Sequence, residues 1–315
     1  MTDDTRRALL DALADGPVRG PAFAEAHGLT RAAVWKQVEA LREAGFVVES
    51  TPAGYRVTGV PEFGAAAVLY GLSAPYDAEF HASIPSTNSR ARDLAAEGAA
   101  DVVVLADEQT GGRGRRGRGW TGPSGGVYAS LLVRPDRPPA HAPVFTLATA
   151  VAVVRACDPL GVDARIKWPN DVLVDTGGEA RKLAGILSEM EGEAGRVAWL
   201  VAGVGVNANV DADALPAGAT SLRAVRGDVD RAAFVRRLLE AFHELAADLE
   251  GVLPAWRERA DTLGRRVRVE TPGRTVVGRA RDVEFPGALV VATDTGVERV
   301  HAGDCEHLRP EPADR

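Results

Sequence analysis

DVVVLADEQTGGRGRRGRGW (101–120) runs from an apolar stretch into a loop of five glycines and four arginines closed by one tryptophan. The first part reads as a strand. The second carries no aliphatic side chain to bury, and glycine loses the most conformational freedom on ordering, so packing is not its purpose. Flexible glycines let backbone N–H groups turn toward a phosphate, and guanidinium groups supply paired donors to its oxygens. No Lys-Ser/Thr closes it as in a Walker loop, and no G-x-G-x-x-G stands between a strand and a helix. Taken alone, the loop fits a phosphate clamp and a single-stranded nucleic-acid contact equally well.

The flanking sequence places the loop inside a mixed α+β domain. GVYASLLVRP (126–135), ARIKWP (164–169), KLAGILSEME (182–191) and RVAWLVAGVGVNAN (196–209) read as further strands. Helices are expected near 88–97, 141–156 and 231–250, the last with Phe234, Leu238, Phe242 and Leu245 on one face. Strand runs broken by few helices predict one mixed sheet with helices mainly on one side. From Gly264 onward, VRVE, TVVGRARDV, ALVVAT and VERVHAG alternate between Gly and Pro breaks, the pattern of a small SH3-like β-barrel.

Upstream lie three short helices and a hairpin. Leu9, Leu10 and Leu13 share a face before Gly16-Pro17; PAFAEAHG (21–28) follows; Thr30 caps a third helix that runs to Ala44, before FVVES, TPAG and YRVTG. This is the pattern of a winged helix-turn-helix, whose third helix enters the major groove by its N-terminal end. Thr30, Arg31, Lys36 and Gln37 are its candidate DNA contacts. Residues 1–60 hold seven Lys/Arg against eight Asp/Glu, so no basic footprint accompanies the pattern. The expected domains are 1–60, a linker at 61–75, a core at 76–262 and the barrel at 263–310, with the RPEPADR tail disordered.

Composition narrows the class. With 45% hydrophobic and 26% charged residues the 315-residue chain is globular, and a net charge of −7 argues against coating nucleic acid non-specifically. Two cysteines exclude a disulfide scaffold and a cysteine zinc site. Acids replace the bases of a secretory signal in MTDDTRRALL, and VFTLATAVAVV (144–154) is too short to span a bilayer, so a cytoplasmic protein with no membrane partner is expected. Lysine occurs three times, asparagine four times and glutamine twice, and these nine residues cluster in a few segments where an ammonium or an amide has no substitute.

IPSTNSRARDLA (84–95) puts Ser-Thr-Asn at a helix start, where capping alone would explain it. KWPND (167–171) and RKLAGIL (181–187) bring two of the three lysines close together, and the glycines of GVGVN (203–207) admit a ligand close to the backbone. Together with EQTGGRGRRGRGW (108–120), these five motifs resemble in order and spacing the biotin protein ligases, specifically the bifunctional kind that doubles as biotin operon repressor. The resemblance spans nearly the whole chain. It implies that biotin and MgATP give biotinyl-5′-AMP and pyrophosphate, and that a lysine of a biotin carboxyl carrier domain is then acylated.

By that resemblance Ser86, Thr87, Asn88 and Gln109 surround the ureido end of biotin. Gly112, Arg113, Gly114 and Arg115 hold its carboxylate end and the phosphates, and Gly185, Leu187, Gly203 and Gly205 line the pocket. Lys182 touches carboxylate and α-phosphate. Arg118, Trp120, Lys167, Asn170 and Asn207 face the nucleotide together with Arg113 and Arg115, Trp120 covering the adenine side. The chemistry agrees: a carboxylate attacking an α-phosphate brings anion to anion, and fixed cations must offset the repulsion. Asp171 either holds Mg²⁺ or orients the acceptor amine. A loop that is floppy when empty would order over the adenylate and slow its hydrolysis, and the ordered form would favour an operator-binding homodimer. The rival readings are a ligand-sensing winged-helix transcription factor without ligase activity, an RNA-binding protein and a lipoate-type ligase.

Overall fold

The computed structural model describes residues 2–308; the RPEPADR tail and the last two positions of the expected barrel domain lie outside the described residues. At the N-terminus, α1 (Thr2–Asp15), α2 (Gly20–Ala26) and α3 (Arg31–Glu43) precede the hairpin β1 (Val47–Thr51) and β2 (Gly54–Gly59). Thr30 Oγ1 accepts the Ala33 amide at 3.1 Å, so the sequence's capping residue is the cap that forms. Leu9, Leu10, Leu13, Val34, Val38 and Leu41 close a separate small core. The hairpin turns at Gly54, φ +127°, where a Cβ would strike the Val18 carbonyl.

The segment expected to be a linker is structured. It forms α4 (Ala65–Leu69), which buries Ala67 and Val68 in the main core while Leu69 and Tyr70 pack on the N-terminal one. Arg7 fastens the two units, its Nη1 donating to the Tyr76 carbonyl at 2.7 Å and its Nη2 to that of Leu72 at 3.1 Å.

The central unit runs β3 (Asp77–Ile84), α5 (Thr87–Ala96), β4 (Val102–Arg113), β5 (Gly119–Gly122), β6 (Val127–Val133), α6 (Ala142–Cys157), β7 (Ala164–Lys167), β8 (Asp171–Asp175), β9 (Ala180–Glu193) and β10 (Arg196–Val206). It ends with α7 (Leu222–Arg226), α8 (Arg231–Ala247) and α9 (Leu249–Glu258). The strands form one sheet in the order β3-β4-β6-β10-β9-β8-β7, with β5 folded back on β4. Only β3 and β4 run parallel among its described pairs. α6, buried along most of its length, packs against α8, α9 and one sheet face, and α5 covers part of the other through Ala91 and Ala95.

The helix expected over 231–250 breaks at Asp248, whose carboxylate accepts the Glu250 and Gly251 amides and starts α9. With its flanking turns α6 becomes a helical run, Pro139–Leu160, long and apolar enough by composition to cross a membrane, yet 67% of its most apolar window is buried inside the protein.

β11 (Arg266–Glu270), β12 (Thr275–Glu284), β13 (Ala288–Thr293), β14 (Gly296–Val300) and β15 (Asp304–His307) make a five-stranded antiparallel sheet in the order β14-β13-β12-β11-β15. No ladder joins β14 to β15 among the described residues, so the expected barrel is observed as a sheet with two ends. Trp168, fully buried, joins this sheet to the centre by donating from Nε1 to the Gly287 carbonyl at 3.0 Å, while its amide donates to Thr262 Oγ1 at 2.9 Å.

Candidate active site

At one end of a cavity on the α5 face of the sheet, polar side chains are buried and wired together. Ser86 caps α5, which places Thr87 and Asn88 in its first turn, all three buried. Gln109 Oε1 accepts from the Thr87 amide at 2.8 Å and lies 3.0 Å from its hydroxyl. Asn88 Nδ2 donates to Glu189 Oε2 at 2.7 Å and to the Leu187 carbonyl at 3.2 Å, so Asn88 Oδ1 must accept. Its donor is Ser130 Oγ at 2.6 Å, on β6 and wholly buried. Ser130 has one proton, and giving it to Asn88 leaves Ser130 Oγ to accept from the Thr87 hydroxyl, 2.8 Å away. Thr87 thereby keeps a lone pair, and Gln109 keeps its Nε2 donors, for a ligand that offers both N–H and C=O. Ser130 and Glu189 had no distinguishing pattern in the sequence.

The floor is glycine by necessity. A Cβ on Gly203 would overlap the Asn88 amide. Gly185 and Gly205 stand opposite each other on β9 and β10. A Cβ would come 2.9 Å from the Trp120 ring at Gly185 and 2.7 Å from it at Gly205. The indole thus fills the slot above these glycines, its Nε1 buried without a partner. Trp120 was expected to cover the adenine side; in the structure its ring lies on the glycine floor.

At the other end the groups are cationic. Lys182 Nζ lies 2.6 Å from Asp171 Oδ1 and 5.2 Å from the Trp120 ring centroid. Arg113 donates to Ser89 Oγ at 2.9 Å. Arg115 donates to Asn170 Oδ1 at 3.2 Å and to the Gly303 carbonyl at 3.0 Å. Burial lowers the Arg115 pKa from its ordinary value, against the opposing pull of Asp304. Asp304, at the start of β15, gathers three guanidiniums of the loop: Arg118 at 3.0 Å, Arg116 at 3.2 Å and Arg115 at 4.0 Å. A carboxylate some 190 residues downstream in the chain thus holds the loop.

The cavity measures about 180 Å³. Ser86, Thr87, Asn88, Gln109, Arg113, Gly114, Arg115, Arg118, Trp120, Asn170, Asp171, Lys182, Gly185, Leu187, Gly203 and Gly205 all line it, joined by Gly119, Ile186 and Val204. Three expected residues stand elsewhere. Gly112 is buried against the Trp120 backbone. Lys167 ends β7 as the register partner of Asp171 and does not line the cavity. Asn207, expected at the nucleotide, is buried just past the end of β10 and does not line the cavity, its Nδ2 committed to the Thr220 carbonyl at 2.9 Å.

On the N-terminal unit, Arg31 and Lys36 are exposed on α3, as is Trp35, and Thr30 serves as the cap. Gln37 is corrected: it is buried, and its Oε1 accepts from Arg6 Nε at 3.4 Å, because its position on α3 faces α1.

A family model for the biotin/lipoate A/B protein ligase family matches residues 80–207, one for the biotin protein ligase C-terminal domain matches 262–308, and one for a helix-turn-helix domain matches 5–56. The chain is 34% identical over 307 residues to the bifunctional ligase/repressor BirA of Bacillus subtilis, covering 92% of this chain and 93% of that protein. It is 31% identical over 299 residues to the Escherichia coli protein of the same name, covering 91% and 92%. Among solved structures, the biotin protein ligase from Aquifex aeolicus in complex with biotin and ATP shares the fold with a TM-score of 0.63 at 24% identity, over 74% of this chain and 99% of that one.

Proposed function

Since the chain belongs to the biotin protein ligase family, in the branch that carries a helix-turn-helix domain, we propose a division of labour among its residues. The protein is a biotin–[biotin carboxyl-carrier protein] ligase: it joins biotin to AMP at the expense of ATP, releasing pyrophosphate, and passes the biotinyl group to a carrier lysine. One observation carries the assignment of the site. A single cavity presents acceptor and donor groups from Thr87 and Gln109 at one end and the cations Arg113, Arg115 and Lys182 at the other. The first end matches a ureido group; the second matches a carboxylate meeting a phosphate.

In the first step Lys182 and Arg115 neutralise the carboxylate oxygen and α-phosphate as the O–P bond forms and pyrophosphate leaves. In the second, an amine attacks the anhydride carbonyl and AMP departs, while Asp171, beside Lys182, orients the amine or receives its proton. Mg²⁺ fits as a companion of the ATP phosphates, because one protein carboxylate plus phosphate oxygens is a sufficient magnesium donor set; if Asp171 holds the metal rather than the amine, it would supply that carboxylate.

The cavity is smaller than the roughly 300–1,000 Å³ of pockets that enclose drug-sized ligands. The Trp120 indole fills the slot above Gly185 and Gly205, so on binding it leaves that slot and rises toward the adenine. The loop then covers the adenylate.

The N-terminal unit makes the same chain a biotin-responsive repressor, with Arg31, Lys36 and the Thr30 end of α3 meeting operator DNA. The edge of β9 supports an adenylate-dependent pairing of two copies: β8 begins opposite Gly185, and past Gly185 toward Glu193 no other described strand pairs with that edge of β9. Incubation with labelled biotin, MgATP and a carrier domain tests the ligase: pyrophosphate release and a labelled carrier are expected, and an unlabelled carrier refutes the assignment.

A further inference from the structure

Arg231 opens α8, and its side chain is 7% exposed. A buried guanidinium is stable only when its charge is matched, so its carboxylate partners are fixed by it as much as it is by them, although its buried Nε makes no hydrogen bond. Nη1 donates to Asp107 Oδ1 at 2.5 Å and to the Gly126 carbonyl at 3.1 Å. Nη2 donates to Glu62 Oε1 at 3.0 Å, and the guanidinium carbon lies 4.4 Å from the Phe63 ring centroid. Asp107 in turn accepts from the Ser124 hydroxyl and, at 3.3 Å, from the Gly125 amide.

These contacts fall on the roots of the arginine loop. Asp107 sits on β4 two residues before Gln109, and Ser124–Gly126 is where the chain returns after β5. Glu62 and Phe63 belong to the segment that descends from the helix-turn-helix unit to α4. We propose that Arg231 is a positioning residue for adenylation: through Asp107 it clasps the two roots of the 111–120 loop, and through Glu62 and Phe63 it links loop closure to the segment that carries the DNA-binding unit. This rests on the reading of that loop as the cover of the adenylate. Clasped roots shorten the free loop and reduce the entropy lost when it orders over the ligand. Lysine keeps the charge but cannot span two carboxylates and a carbonyl with a planar fork.

The test compares the wild-type chain with Arg231→Lys and Asp107→Asn, each first shown by calorimetry to fold, and with their double variant. Each single variant is expected to raise KM for ATP about tenfold, with kcat changed far less, and the double variant is expected to be no worse than either. Trypsin, which cuts after arginine, reports the loop directly. Biotin plus ATP should protect 113–118 in the wild type and leave it cleavable in Arg231→Lys. Amide exchange at 62–66 should slow on adding biotin plus ATP in the wild type and not in that variant. Wild-type KM, full protection of the loop and wild-type slowing of exchange at 62–66 in Arg231→Lys would overturn the proposal. A wild-type chain that releases no pyrophosphate would instead refute the ligase reading on which it rests.

Discussion

The two ends of one cavity are built on opposite principles. At the Ser86–Gln109 end most of the polar groups are placed by burial: Ser130 is inaccessible, Asn88 is held from both sides, and a missing partner would leave a donor or acceptor stranded in low dielectric. At the Arg113–Arg118 end the groups are partly exposed and held by ion pairs to Asp304, on a sheet outside the one that forms the pocket. Exposed pairs of this kind contribute little individually and weaken with salt. The first end is therefore fixed before a ligand arrives, and the second is free to rearrange around one. Recognition of biotin needs the former, and covering a large charged intermediate needs the latter.

The largest effect should come where the two ends meet. Lys182→Met removes the ammonium aimed at the developing charge and should lower pyrophosphate release by about 10²–10³ while the melting temperature stays near that of the wild type. Turnover near the wild-type rate would mean that the arginines alone carry the charge. Ser130→Ala strands Asn88 Oδ1 and frees Thr87 to rotate. At about 1–3 kcal/mol for an unsatisfied buried acceptor, biotin affinity should fall roughly tenfold or more, and calorimetric titration should give the same ratio at low and high salt.

Asp304→Asn should act on the other end only. Biotinyl-AMP escape, read as labelling of bystander lysines, should rise roughly two- to fivefold at low salt, the scale of a few exposed ion pairs, and the difference should vanish at high salt. If the Ser130 effect is salt-dependent and the Asp304 effect is not, the contrast between the two ends is wrong. The smallest effect concerns acid. Burial alone would raise the Asp107 carboxyl, but hydrogen bonds from Arg231, Ser124 and the Gly125 amide hold it below the usual carboxylate range. A carboxyl depressed in the folded state stabilises it above the unfolded pKa and ceases to do so as pH falls through the folded one. The change in tryptophan fluorescence on adding biotin plus ATP, which reports Trp120 and the loop, should thus be flat from pH 8 to about 5 and be lost only in stronger acid.

The buried end was the more legible. Scarce amides and a Ser-Thr-Asn helix start announced Asn88 and Gln109, and strand alternation with Gly breaks announced the glycine floor. Ser130 was invisible because one serine in VYASLL looks like a strand residue facing water until the sheet covers it. Asp304 was invisible for a different reason: only the folded chain brings it to Arg118, and local pattern carries no record of such pairs. Asn207 and Gln37 misled because a scarce polar type marks a position that needs its hydrogen bonds, and the partner can equally be the protein's own backbone. The half-buried β3 and the short β8 gave no clean alternation, so the sheet was read with fewer strands than it has.

The site generates a mixed anhydride that acylates amines, and the cations around it are arginines with a single lysine. Guanidinium groups do not serve as acyl acceptors here, being charged and delocalised at every physiological pH. The one ammonium, Lys182, is ion-paired with Asp171 at 2.6 Å, which turns its nitrogen toward a carboxylate. Of the other two lysines in the chain, Lys36 is on α3 and Lys167, at the end of β7, is outside the pocket lining. The protein is in this way built to be a poor substrate for its own product: activated biotin that stays in the site meets no free amine until a carrier brings one.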